Sequence, residues 1–166
     1  MKTKVIAGFN YLVDLYDADG KLTESEYVHN LMPVEGLNHV LMAVLKSGGT
    51  FPHWYIGLFK GNYTPSPTDI MSTFPAGATE LTEYAETVRQ ELLTGSVVSG
   101  ACDNVLNKAE FTANAGVTAY GGFISTSATK GNSSGVLLSA VRFASPKVLS
   151  NGSVLRVTAG FVFASV

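Results

Sequence analysis

The chain's densest cluster of reactive side chains is Asp17-Ala18-Asp19-Gly20, followed by Glu26. Laid over the calcium loop of a helix–loop–helix site, Gly20 takes the sixth position, Asp17 and Asp19 the third and fifth, and Glu26 the twelfth. The first position is then Leu15, which has no oxygen to offer a cation, and the flanking residues alternate as strands do. The segment reads as a hairpin turn. A surface cation held by Asp17, Asp19 and Glu26 stays open as the alternative. His29, His39 and His53 are the only histidines. None stands three or four residues from another, so no metal pair forms on a helix face. Cys102 is the single cysteine and has an acidic neighbour, Asp103, so it reads as structural.

Other chemistries find little support. Thirteen Asp and Glu residues could include a glycosidase pair, but no spacing singles one out. No GxxxxGK[ST] or GxGxxG occurs. Gly121-Gly122 sits in a strand-like segment and reads as a point of close packing or a bulge. Trp54, Tyr55, Tyr63, Tyr84 and Tyr120 could stack on sugar faces, although Trp54 and Tyr55 open an apolar run that suits a core. The reading is a non-enzymatic protein with no cofactor and no metal.

The elements that would position these residues are mostly strands. In Val154–Phe163 the apolar residues Leu155, Val157, Ala159, Phe161 and Phe163 alternate with Arg156 and Thr158, a half-buried strand. Val136–Phe143 repeats the pattern, with Leu137, Val141 and Phe143 on one side and Arg142 on the other. Ser145-Pro146-Lys147 and Ser150-Asn151-Gly152-Ser153 supply turns. Residues 10–31 read as a hairpin turning at Asp17–Gly20. Pro33 opens a helix over Val34–Leu45, where Leu37, Val40, Leu41, Val44 and Leu45 recur at helical spacing. Gly48-Gly49 ends it, and its apolar side should lie on a sheet.

Trp54–Phe59 suits a strand buried on both faces. Tyr63–Ala78, with Pro65, Pro67 and Pro75, reads as an arm or lid crossing a surface. Residues 79–93 fit a helix with Leu81, Ala85, Val88 and Leu92 inside and Glu80, Glu83, Glu86 and Arg89 outside, a pattern weakened by Thr82 and Thr87. Short strands follow at Val97-Val98, around Phe111 and over Val117–Thr126. Lys130–Gly135 is a loop tip. The expected fold is mainly β: an antiparallel β-sandwich or jelly-roll-like domain over residues 1–166, with one short amphipathic helix and a Pro-rich arm at about 63–78.

Composition narrows the function. Charged residues make up 14% of the 166, against roughly 25% in a typical soluble domain. The surface must therefore be finished with Ser, Thr, Asn and Gly, or covered by other subunits. Net charge is −2, and the eight lysines and three arginines are scattered, which argues against a nucleic-acid partner. Lys2 and Lys4 precede Val5–Phe9, but Asn10 and Asp14 interrupt the apolar stretch, so no signal segment is expected. No run is long enough for a membrane helix.

Several segments resemble small virion structural proteins of tailed bacteriophages. They are Glu35-Gly36-Leu37-Asn38-His39-Val40-Leu41, Trp54-Tyr55-Ile56-Gly57-Leu58-Phe59, Asn62-Tyr63-Thr64-Pro65 and Tyr120-Gly121-Gly122-Phe123. Gly135–Ala140 and Asn151–Val157 extend the likeness, which covers roughly residues 30–163. It implies a capsid decoration (cement) protein, made in the host cytoplasm and carried on the virion surface. Its implied partners are the major capsid protein and copies of itself, as a dimer or trimer. A fibre or tail module binding a receptor or glycan is the alternative. The expected interface is the arm: Tyr63, Pro65, Pro67, Ile70, Met71 and Phe74.

Overall fold

The computed structural model describes residues 5–46, 48 and 51–165. Lys2, Lys4 and Gly49 lie outside them. Two antiparallel sheets face one another. The first holds β1 (Val5–Tyr16), β2 (Leu22–His29), β6 (Ala101–Asp103), β7 (Ala109–Thr112) and β10 (Val154–Ser165). β1 lies between β2 and β10, and β6 and β7 share the far edge of β10. The second sheet runs β3 (Tyr55–Phe59), β8 (Val117–Ser125) and β9 (Leu137–Leu149), with β4 (Glu80–Leu81) and β5 (Gln90–Glu91) sharing the outer edge of β3. The helices are α1 (Val34–Leu45) and a single turn, α2 (Phe74–Gly77). This is the expected β-sandwich.

Period-two alternation builds the core. Tyr11, Val13 and Leu15 stand opposite Ala159, Val157 and Leu155 in the β1–β10 pair, and all six are buried against Ile56, Leu58, Ile124 and Val141 of the facing sheet. Burying each such large side chain contributes about 1.5–3 kcal/mol. Along β10 the pattern weakens past the sandwich: Phe161 is half-buried and Phe163 exposed. The Tyr11 hydroxyl crosses the core to Ser139 Oγ at 2.7 Å, and Asn30 Nδ2 donates to the same oxygen. Burial pushes the Tyr11 pKa well up, partly offset by that bond.

β9 departs from the simple reading twice. Ile124 pairs with Ser139 and Ser125 with Leu137, so β9 has an extra residue there. The bulge turns Leu137 to the outer face of its sheet, with Ala140, while Val141 and Phe143 face inward. Ser145-Pro146 is no turn between strands. It is a longer bulge inside β9, between Arg142 opposite Gly121 and Lys147 opposite Ala119, a place where the missing proline N–H is tolerated. Gly121 marks the partner side: a Cβ there would collide with Phe59 and the Val141 carbonyl. Glu26 of β2 accepts from the Ala144 and Ser145 amides, at 2.6 and 3.2 Å. The nearly buried Lys147 ammonium reaches Glu26 at 2.8 Å and Glu24 at 3.0 Å.

Residues 79–93 form no helix. They supply β4 and β5 joined by irregular chain; Leu81 and Leu92 face the core as expected, but Val88, Glu80 and Arg89 do not follow the expected polarity. Val88 is exposed, whereas Arg89 and Glu80 are buried. Arg89 meets Glu80 through two hydrogen bonds of 2.8 and 2.7 Å and donates to the Ser127 and Asn132 carbonyls, both at 2.9 Å. Glu80 also accepts from the Gly131 amide at 2.8 Å. The Lys130–Gly135 loop is thereby held against this pair. Val97-Val98 contributes only a bridge to Ala101, closed by a tight turn with Ser99 at φ 50° and Gly100 at φ 75°.

The Pro-rich segment folds back over the second sheet. Met71, Phe74 and Ala78 bury against Phe59, Phe123, Leu137 and Ala140, which makes a second core on the sheet's outer face. Phe123 and Phe59 meet the Phe74 ring at centroid distances of 5.3 and 5.8 Å.

Candidate functional site

The candidate catalytic and ligating residues do not converge. Asp17 accepts from the amides of Asp19 and Lys21 and stabilises the β1–β2 turn, where Gly20 has φ 80°. Glu26 is engaged at β9, so the three carboxylates of the possible cation site are not gathered. Among the described residues no group of three His, Cys, Asp or Glu side chains stands close enough to share a metal. His29 bonds Asn10, and His53 lies 2.6 Å from Glu91. Among the described residues no helix is long and apolar enough to cross a membrane.

What the fold does assemble is an apolar surface around α1. Gly36 is the helix's one buried residue, because it lies where a Cβ would come within 2.5 Å of the Leu138 carbonyl. Glu35, the only charge within α1, points into the molecule and accepts from the Met71 and Leu137 amides at 2.9 and 2.7 Å. The Pro67 carbonyl accepts from the Val34 amide at 2.9 Å. After Leu45 the Gly48 amide returns to the Met42 carbonyl. Of the apolar residues Val40 packs on the sandwich core, and Val40, Ala43 and Val44 line the space between helix and sandwich. Val34, Leu37, Leu41, Met42, Val44 and Leu45 are exposed, Val44 and Leu45 at 75% and 71%. Of the residues expected to cover a sheet, Val40 does so, whereas Leu37, Leu41 and Leu45 look outward.

Between α1 and the end of the sandwich lies an open cavity of about 340 Å³. Phe9 and Phe161 wall it from the first sheet, Trp54, Leu92 and Leu138 from the second, with Cys102 at the β6 side. Trp54 stands with His39 and Phe51 at ring distances of 5.4 and 6.0 Å. The other aromatics considered for sugar stacking lie elsewhere: Tyr84 is buried in the core, and Tyr63 packs on Phe74. Beyond the cavity Val97, Val98, Val105 and Leu106 are exposed around β6.

Of the arm residues expected at an interface, Met71 and Phe74 are enclosed by their own chain. Tyr63 and Pro65 are half-buried, and Pro67 and Ile70 are exposed beside the start of α1. Tyr63 donates to Asp69 at 2.6 Å; that bond, then burial, raises its pKa. The outward helix face was readable only as composition, since a helix apolar on most of its circumference does not show which side is covered. The fold and this surface define the chain as an antiparallel β-sandwich with many exposed apolar side chains. No family model and no curated protein matches it.

Proposed function

We propose that this chain is a non-enzymatic structural protein of a tailed-phage virion, a capsid decoration protein that binds the outer face of the head and stabilises it. The observation that carries the reading is the number of exposed large apolar side chains, Ile70, Leu37, Leu41 and Leu45 by α1 and Val97, Val98, Val105 and Leu106 around β6, on a sandwich with few charges. Exposed apolar patches of this kind mark contacts with other proteins. The likeness of Glu35–Leu41 and Trp54–Phe59 to phage virion proteins points the same way. Its partners would be the major capsid protein and further copies of itself, and its place the virion surface. The turn that links β6 to β7, with Leu106 86% exposed, is the part best placed to insert into a shell groove.

The test is co-sedimentation of the purified protein with undecorated heads, imaged by electron cryo-microscopy. Density at regular lattice positions is expected, with occupancy lost in Leu106→Asp while the protein's melting temperature is unchanged. Heads that stay bare at saturating protein would overturn the reading. A receptor- or glycan-binding fibre module is the second reading, favoured by Trp54, Phe51 and His39 at the cavity. It predicts that a glycan changes the fluorescence of Trp54, the only tryptophan, without any head present.

A further inference from the structure

We infer that the outer face of the first sheet carries a site for a neutral sugar, one ring seated between Asn10 and Asp103 above Gly160. The strand register builds it. Gly160 of β10 stands opposite Asn10 of β1 on one side and Asp103 of β6 on the other. Residues paired across an antiparallel sheet share a face. Tyr11 and Ala159 fill the core, so their neighbours Asn10 and Gly160, and Asp103 with them, lie on the opposite face. Asn10 and Asp103 are two strands apart, about 10 Å, with no side chain between them. Gly160 is not needed for its backbone, since it is not among the glycines with positive φ. A Cβ there would stand 3.2 Å from Asp103 Cβ and fill the notch. Glycine inside a strand weakens it and marks a place of close approach.

The notch opens into a groove of about 250 Å³, floored further along by Leu12 and Thr158. Tyr27, 59% exposed, lines it from the β2 side and Val105 from the β6 side. Hydrogen-bonding capacity is left over in this groove. Asn10 Oδ1 lies 2.6 Å from His29 Nδ1, which leaves the Asn10 Nδ2 to donate. Asp103 Oδ1 accepts from the Val105 amide at 3.0 Å, and its Oδ2 has no partner among the described residues. Thr158 is 9% exposed, and its hydroxyl has none either. A sugar hydroxyl donates and accepts, so two adjacent ones can give a charge-assisted bond to the carboxylate and take one from the amide. The ring's C–H face suits the Tyr27 ring. Charge sets the class of ligand. No lysine or arginine lines the groove, and the Asp103 carboxylate repels an anion. Among the described residues no metal-binding group gathers there. The groove is smaller than the roughly 300–1,000 Å³ of sites for drug-sized ligands, so it holds one ring. It lies apart from the Trp54 cavity, with Phe161 and Cys102 lining both, and it depends on neither reading given above.

The experiment is a heteronuclear NMR titration of the full chain with the methyl glycosides of glucose, galactose, mannose and N-acetylglucosamine. At least one should give saturable shifts at the Gly160 and Asp103 amides and the Asn10 side-chain amide, at about millimolar concentration. The Trp54 indole signal should stay in place. Gly160→Ala, which fills the notch, and Asp103→Ala should each weaken that binding by about tenfold or more. Asp103 is exposed, so its variant should melt with the wild type and tests the contact even where the Gly160 variant repacks the sheet. No saturable shift with any of these glycosides would overturn the site. Shifts confined to Trp54 and its neighbours would overturn it too, and would support the glycan reading at the cavity instead. Asp103→Ala binding as tightly as the wild type would overturn the geometry on which the site stands.

Discussion

Arg89 is fully buried, and its guanidinium is used on every side: both Glu80 oxygens, the carbonyls of Ser127 and Asn132, and the Phe123 ring 5.1 Å below. An isolated charge in such a place would be prohibitive, and a pair is tolerable only when its remaining hydrogen-bonding capacity is filled. Arg89→Ala leaves Glu80 buried and unpaired. It should cost about 3–5 kcal/mol, read from the denaturation midpoint at constant slope. Replacing both partners, as Glu80→Gln with Arg89→Met, should cost distinctly less, because neither charge is then stranded. Equal losses in the two variants would show that packing around the guanidinium, not the pairing, is what matters. The same residue explains why residues 79–93 were illegible in the sequence. A rule that puts Glu and Arg outside and Val inside fails when two opposite charges satisfy each other in the interior.

Between elements, the tie from β2 to the β9 bulge is electrostatic, and its response to pH has a definite sign. Burial works to raise the Glu26 carboxyl, but the Lys147 ammonium and the Ala144 and Ser145 amides outweigh it and hold the pKa below the ordinary 4.5. Asp14 is lowered likewise, with Ser25 and Lys108 overcoming burial. A carboxyl depressed by folding binds fewer protons in the folded state. Its contribution is complete above its unfolded pKa and is lost as pH falls through the folded value. Lys147 is the opposite case. Glu26 and Glu24 overcome burial to raise it above 10.5, so its contribution is lost only as pH rises beyond that. Stability should therefore hold through neutrality and fall as pH drops from about 5 to about 3. In Glu26→Gln the acid-induced drop in the urea midpoint should be visibly smaller. An unchanged drop would assign the acid sensitivity to other carboxylates. This tie also shows where sequence periodicity stops being informative. β1 and β10 were legible because one face is buried along most of their length. β9 was not, because its two bulges shift the alternation and place Leu137 and Val141 on opposite faces. The limits of α1 were legible from Pro33 and the spacing of its apolar residues. Its orientation was not, since Gly36, with no side chain, makes the close contact and the leucines face out.

At the scale of the whole molecule, the second core decides whether residues 63–78 are an appendage or part of the fold. As a lid on a finished sandwich, the segment could be perturbed without touching global stability. Phe74 argues otherwise. Its ring packs edge-on to those of Phe59 and Phe123 and touches Tyr63. Phe59 and Phe123 belong to strands whose other residues, Leu58 and Ile124, fill the core between the sheets. The two cores thus share the backbone of the second sheet, and loosening one exposes the other. Phe74→Ala should accordingly cost about 3–5 kcal/mol, comparable with Phe111→Ala in the main core. The whole chain should still melt in one transition. The same linkage implies that removing residues 63–78 would strip the outer face of the second sheet and prevent native folding. Calorimetry of Phe74→Ala separates the two pictures. A lowered single transition identifies one cooperative unit, whereas an unshifted main transition preceded by a small early one would mark the segment as a separable lid.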